Sequence, residues 1–355
     1  MSVEYYLAFL IPFILTSVLA WPVLRLARRF GVLDVPNQPR KIQAGPVPML
    51  GGVAVYGSLL LTVLGWQIFS AGSFGEFISQ RYLLGILLGG GVLIFGGFLD
   101  DKFSLSPAKQ FVFPALAALI VILLGVQLSY INNPFGEAFL LDTVKISGYP
   151  IFGGLFILLW VLGMIYTTKF LDGLDGLVSG ITGIAAVVLF FLSLLPQVGQ
   201  PDTALLSIMF GGSALGFLAW NFHPAKIFLG EGGSTFCGFM IGVLAVISGG
   251  KIATALLVMG IPILDAAWVI ARRLFSHYSP FAADRKHLHF RLLDIGLSHR
   301  QSVLVLYFLS AAFGVSGLYL QSVGKVVALV ILFAVMLVLA ILLVIAYRRK
   351  YGRFN

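Results

Sequence analysis

Charge is scarce in this chain. Only 10% of its 355 residues are Asp, Glu, Lys or Arg, against roughly 25% in soluble domains, while 59% are hydrophobic. That shortage argues against two soluble domains, which the length alone would allow. Cysteine is nearly absent as well. The single Cys237 lies in an apolar run, excludes an internal disulfide and reads as a buried, inert thiol. No basic segment precedes the first apolar stretch, about residues 5–24. Only Glu4 stands ahead of it, and the stretch exceeds the 7–15 residues of a signal sequence. The positive charge comes afterwards, at Arg25, Arg28 and Arg29, as expected for a retained first helix with its N-terminus outside. Low-complexity segments and internal repeats are missing too.

What the sequence has instead is long apolar runs, at 51–70, 82–99, 151–168 and 325–347 among others. About 20 apolar residues in a helix span the hydrocarbon core of a bilayer. The pattern predicts an all-α polytopic membrane protein forming one integral domain over 1–355, with about eleven transmembrane helices. The expected spans are about 5–25, 48–69, 81–99, 108–127, 151–168, 177–195, 203–220, 234–249, 252–271, 302–320 and 325–347. Gly85 and Gly89 form one small-residue spacing of the kind that lets membrane helices approach closely.

With the N-terminus outside and the C-terminus cytoplasmic, the cytoplasmic segments are about 26–47, 100–107, 169–176, 221–233, 272–301 and 348–355. Of the 23 Lys and Arg residues, only Arg81, Lys145, Lys251 and Lys325 then fall on the far side. This is a strong positive-inside asymmetry. Topology and anionic lipid headgroups account for the net charge of +9, so no nucleic-acid partner is needed. All five histidines (His223, His277, His287, His289 and His299) also fall on the cytoplasmic side. So do Asp34, Asp100, Asp101, Asp172, Asp175, Glu231, Asp284 and Asp294. Topology hardly constrains acids or histidines, so their clustering points to a polar active site there.

Five loops carry this chemistry. The first contains Arg40 and Lys41, readable as topology anchors or as anion contacts, within a Pro-rich stretch that runs to Gly51 and Gly52. The second places Asp100 beside Asp101. Residues one apart do not share a helix face, so one is free to meet a cation or substrate while the other makes structural bonds. In the third, Asp172 and Asp175 are three apart and flanked by glycine. They can cap a helix, or work together at a place where backbone approaches a ligand. The fourth sets Glu231 in a Gly-rich turn before Ser234 and Thr235, suited to a divalent cation or phosphate oxygens but lacking the ending of a P-loop. The fifth carries Arg285, Lys286, His287, His289 and Arg291. Its alternating histidines do not match a helical zinc site and read as a phosphate or nucleotide surface. Carboxylates beside phosphates suit Mg²⁺, with Mn²⁺ as the alternative. The chemistry that fits is phosphoryl transfer between a soluble and a membrane-embedded phosphate.

The ordered set LDDKFSLS, FLDGLDGL, FHPAKIFLGEGGSTFCGF and SPFAADRKHLHF resembles the polyprenyl-phosphate N-acetylhexosamine-1-phosphate transferases. These are the glycan-initiating relatives of phospho-N-acetylmuramoyl-pentapeptide transferase, within glycosyltransferase family 4. The resemblance runs from about residue 20 to about residue 300. It implies transfer of a sugar 1-phosphate, most readily GlcNAc-1-phosphate, from a UDP-N-acetylhexosamine to undecaprenyl phosphate with release of UMP. It also implies a bacterial cytoplasmic membrane, an active site facing the cytoplasm, and a homodimer as the candidate assembly. By motif, the catalytic acids are Asp100, Asp101, Asp172 and Asp175, and the metal ligands are Glu231, Asp101 and Asp175. Substrate contacts fall to Arg40, Lys41, Lys169, Arg285, His287, His289 and Arg291. Four positions depart from the family's usual residues: Lys169 (Asn is usual), Glu231 (Asp), Phe290 and Gln43 (His at both). An eleventh span with a basic tail favours the glycan-initiating branch over the muramoyl-pentapeptide branch. A secondary transporter is the alternative from another class, and Asp265 is the acid it would place inside a span. A membrane scaffold has no need of the clustered acids.

Overall fold

The computed structural model describes residues 2–36, 43, 45–69, 74–75, 77–146, 148–248, 251–276 and 287–352. Arg40, Lys41 and Arg285 lie outside the described residues. Within them run thirteen helices: α1 (Val3–Phe30), α2 (Gly51–Phe69), α3 (Gln80–Phe103), α4 (Pro107–Leu123), α5 (Ile151–Leu171), α6 (Leu177–Leu194), α7 (Pro201–Asn221), α8 (Gly230–Ile247), α9 (Ile252–Val258), α10 (Gly260–Phe275), α11 (Leu288–Asp294), α12 (His299–Tyr319) and α13 (Ser322–Tyr351). The protein is an all-α polytopic membrane protein. Nine of these helices are long and apolar enough to cross a bilayer, and the pair α9 and α10 brings the number to ten if it counts as one span. The apolar α4 is shorter, at 17 residues.

The expected span at 252–271 is broken, with α9 and α10 meeting at 78°. Pro262 lacks the N–H that Val258 would receive one turn back, so the hydrogen-bond ladder stops there. Gly260, at the break, leaves room for Leu332 of α13. The bend carries the end of α10 towards the polar loops.

Helix α8 forms the axis of the bundle. In its span 89% of the residues are buried, against 17% in α13. It packs on α2, α3, α5, α6 and α9. Contact is closest at its first turn. A Cβ on Gly97 of α3 would overlap the backbone of Gly232, and one on Gly52 of α2 would overlap Gly233. Gly85 and Gly89 likewise seat α3 against α4 and against Phe239 of α8. Within the bilayer depth, hydroxyls serve as polar glue. Thr16 of α1 is hydrogen-bonded to Ser58 of α2, which donates to Ser213 of α7 at 3.0 Å. The first loop folds back as a short ladder, Leu33–Asp34 antiparallel to Val47–Pro48, and Met49 bridges to Phe228 ahead of α8.

Candidate active site

The ends of α3 and α5 and the starts of α6 and α8 bring the acidic loops together. Asp101 lies opposite the first turn of α8. Both its carboxylate oxygens accept from the backbone N–H of Glu231, each at 3.1 Å. A carboxylate here balances the positive end of the helix. Gly230 adopts φ +73°, and a side chain on it would strike the Asp101 carboxylate. Asp100 bonds elsewhere, accepting from Leu105 N–H at 2.8 Å and from Gln110 Nε2 at 2.9 Å. The neighbouring acids thus serve different elements, as their spacing predicts.

Gln110 extends the network. Its Oε1 accepts from Lys169 Nζ at 2.9 Å, and Lys169 reaches Glu231 Oε1 at 2.5 Å. Two of the departures from the family's usual residues are therefore one interaction, a longer acid answered by a cation. Asp172 caps the end of α5 and is hydrogen-bonded to Ser234 of α8. Burial first, then the charges of Glu231, Asp175 and Asp34, push its carboxyl up to about 7. Asp172 is nonetheless an exposed residue, so solvent screens this shift strongly. Asp34 is itself held by Gln43 Nε2 at 2.6 Å.

Asp175 sits differently from its expected place. Its Oδ2 meets His223 Nδ1 at 2.7 Å and accepts from Ala225 N–H at 3.1 Å. Among the described residues neither Asp175 nor Asp172 forms a tight three-ligand group with Asp101 and Glu231. The histidine motif packs against the DGLDG turn, because a Cβ on Gly173 would collide with the His289 ring. His287 stacks between Phe170 and His289, with ring centroids 6.1 and 5.6 Å away. Its Nδ1 meets Asp265 Oδ2 at 3.0 Å, while Asp265 Oδ1 accepts from Leu288 N–H at 2.9 Å. The acid that a transporter would use mid-span here holds the histidine loop. His289 is 1% exposed, and among the described residues neither ring nitrogen has a hydrogen-bond partner. Burial lowers its pKa to about 3, so the ring is neutral. A buried polar ring left unbonded is costly. Phe290, in place of a usual histidine, is buried beside it, and Arg291 follows on α11.

The acids fit a hard divalent cation. Asp101, Asp172 and Glu231 lie within one another's field, all donors are oxygens, and Lys169 offsets one charge. The sequence alone did not reveal Gln110, the hold of Asp265 on His287 or the pairing of His223 with Asp175. A lone Gln one turn into the apolar α4 was the one visible signal.

Two substitutions test this geometry. Removing one partner of a fully buried charge pair costs about 2–5 kcal/mol. Lys169 and Glu231 are each about one-fifth exposed (19% and 20%). Lys169→Asn is therefore expected to cost about 1–2 kcal/mol, lowering kcat/KM roughly tenfold; unchanged kinetics would sink the assigned role. Asp265→Ala leaves His287 and a backbone N–H unsatisfied, worth about 1–3 kcal/mol. The KM for the substrate that binds beside the histidine loop is expected to rise about tenfold, with a smaller change in kcat.

Comparisons with known proteins identify the family. The profile of glycosyl transferase family 4 matches residues 83–249, which include the acids at 100–101, 172, 175 and 231. A probable undecaprenyl-phosphate N-acetylglucosaminyl 1-phosphate transferase of Bacillus subtilis is 31% identical over 344 residues, covering 94% of this chain and 90% of its own. A decaprenyl-phosphate N-acetylglucosaminephosphotransferase of Mycolicibacterium smegmatis is 33% identical over 305 residues, 79% of this chain and 73% of its own. The undecaprenyl-phosphate alpha-N-acetylglucosaminyl 1-phosphate transferase of Escherichia coli is 28% identical over 90% of this chain and 85% of its own. With nine-tenths of both chains aligned to the first of these relatives and the family profile spanning the acidic loops, this chain belongs to glycosyl transferase family 4.

Proposed function

We propose that the chain transfers N-acetylglucosamine 1-phosphate from UDP-N-acetylglucosamine to undecaprenyl phosphate, starting an envelope glycan at the cytoplasmic face of a bacterial membrane. The observation that carries this reading is the meeting of Asp101, Asp172, Glu231 and Lys169 with an unbonded, buried His289 at one end of a membrane bundle. The sugar and acceptor named for the relatives support the choice of substrates. The excess of Lys and Arg at the same end supports a cytoplasmic site and an outside N-terminus.

In this reading an oxygen of the lipid phosphate bonds to the sugar-linked β-phosphorus of the donor. The bond from that phosphorus to the oxygen bridging to the α-phosphorus breaks, and UMP leaves with the bonding electrons. The lipid phosphate is already anionic near neutral pH, so positioning and charge neutralisation carry the reaction. Asp101, Asp172 and Glu231 would hold a Mg²⁺ ion, which would supply neutralising charge for the phosphates. Lys169 adds a fixed ammonium beside these acids. Neutral His289 offers one donor and one acceptor to the nucleotide sugar. A narrow crevice of about 10 Å³ between α3, α4 and α8 is lined by Leu93, Phe113 and Pro114 together with Asp100, Gln110 and Glu231.

The test is UMP release by the purified protein in detergent with Mg²⁺, undecaprenyl phosphate and UDP-N-acetylglucosamine. Release that needs lipid and metal, and disappears in Asp101→Asn and Glu231→Ala, is expected. Absence of turnover with any UDP-sugar in folded protein would overturn the reading.

A further inference from the structure

Beyond the carboxylate centre, Asp175, His223 and His299 come from three separate segments: the turn between α5 and α6, the loop between α7 and α8, and the start of α12. One potential ligand atom from each lies within 4.8 Å of the others. The two imidazoles are stacked, with centroids 4.0 Å apart and planes 15° from parallel. His299 Nε2 is buried without a hydrogen-bond partner, while the ring bonds the Asp175 backbone. A histidine that anchors itself to a backbone group and leaves its other nitrogen free is arranged as a metal ligand. The surroundings are fixed too. Asp175 is held by Ala225 N–H at 3.1 Å, and the His223 carbonyl accepts from Arg300 Nε at 3.0 Å.

We propose that Asp175, His223 and His299 form a second cation site, for a borderline transition metal of the Zn²⁺ class, separate from the carboxylate site around Glu231. Two imidazoles and one carboxylate favour such ions over Mg²⁺, which prefers oxygen alone. Tetrahedral coordination places ligand atoms about 3.3 Å apart, so Asp175 and His223 separate slightly to admit the ion. Three protein ligands leave a fourth position for water or a substrate group. The His223 side chain is 38% exposed, which gives the ion a way in. Occupancy ties the start of α12 to the DGLDG turn that also carries Asp172.

The experiment uses full-length protein in detergent, freed of its affinity tag, stripped with chelator and titrated with Co²⁺. The expected result is one Co²⁺ per chain with the intense visible bands of low coordination, displaced by equimolar Zn²⁺. His223→Ala and His299→Ala should each weaken binding at least roughly 100-fold, whereas Glu231→Gln leaves the spectrum unchanged. His299→Cys should keep the metal and add a thiolate-to-cobalt charge-transfer band, which separates ligand loss from misfolding. No visible band in wild type, bands that survive both alanine variants, or no binding by a His299→Cys protein of unchanged Tm would each overturn the proposal. None of these readouts depends on which UDP-sugar is turned over.

Discussion

Asp172→Asn is expected to lower UMP release roughly 10²–10³-fold while making the metal-free protein more heat-stable above neutral pH. Burial and the surrounding acids raise the Asp172 carboxyl from 3.8 to about 7 in the folded protein. A group whose folded pKa is raised contributes stability that is fully present below its unfolded pKa, near 4, and is lost as pH rises through about 7. Metal-free wild type should therefore lose Tm between pH 5 and pH 8. The Asn variant, which cannot ionise, should lose less, and above pH 7 it should melt higher by a few degrees. Solvent in the cleft limits the size of the effect. Mg²⁺ should narrow the gap by stabilising the wild type more. A residue with a merely structural role would lose activity and Tm together. Thermal melts with chelator across this pH range, beside UMP release, separate the two cases.

Gly97→Ala is expected to have the largest effect on folding of any single methyl group added to the bundle. Its Cβ would run into the backbone N and Cα of Gly232, and backbone cannot rotate aside as a side chain can. Overpacking costs about 1–3 kcal/mol where side chains give way. Here α3 and α8 must part, so the loss should reach or exceed the upper end. The same movement separates Asp101 from the Glu231 N–H, so surviving protein should be inactive. Gly65→Ala is the control. Nothing lies within 4 Å of its Cβ, and alanine favours a helix interior, so Tm should hold or rise slightly. Equal losses in both variants would contradict the close approach of α3 and α8.

Much of this architecture could be read from the chain because length and hydropathy set a membrane helix directly. Ten of the eleven expected spans coincide with one continuous helix and 252–271 with the bent pair α9 and α10, although nine to ten of these, not eleven, are long and apolar enough to cross a bilayer. The break between α9 and α10 was hidden for the same reason. Residues 252–271 are nearly all apolar, and only Pro262 together with the packing of Gly260 on Leu332 decides the bend. The acids were legible as candidates because carboxylates at the ends of spans have no topological cause. Their partners were not. Lys169 and Glu231 stand 62 residues apart, and each departs from its own motif for reasons only the contact supplies. Asp265 looked like a mid-span acid until the bend placed it under His287. Asp175 and Asp172 share a turn, yet their bonding partners differ, one meeting imidazoles and the other Ser234. Spacing fixes which residues share a helix face, but not what the facing helix presents.

The central claim is that a sugar phosphate, and not a bare sugar, moves to the lipid. The most direct measurement follows UDP-N-acetylglucosamine labelled with ³²P at the β-phosphorus, incubated with the purified protein, Mg²⁺ and undecaprenyl phosphate, then partitioned between organic and aqueous phases. Label is expected in the lipid phase, matched mole for mole by unlabelled UMP in the aqueous phase. Label retained in water as UDP while the sugar moves to the lipid would contradict it.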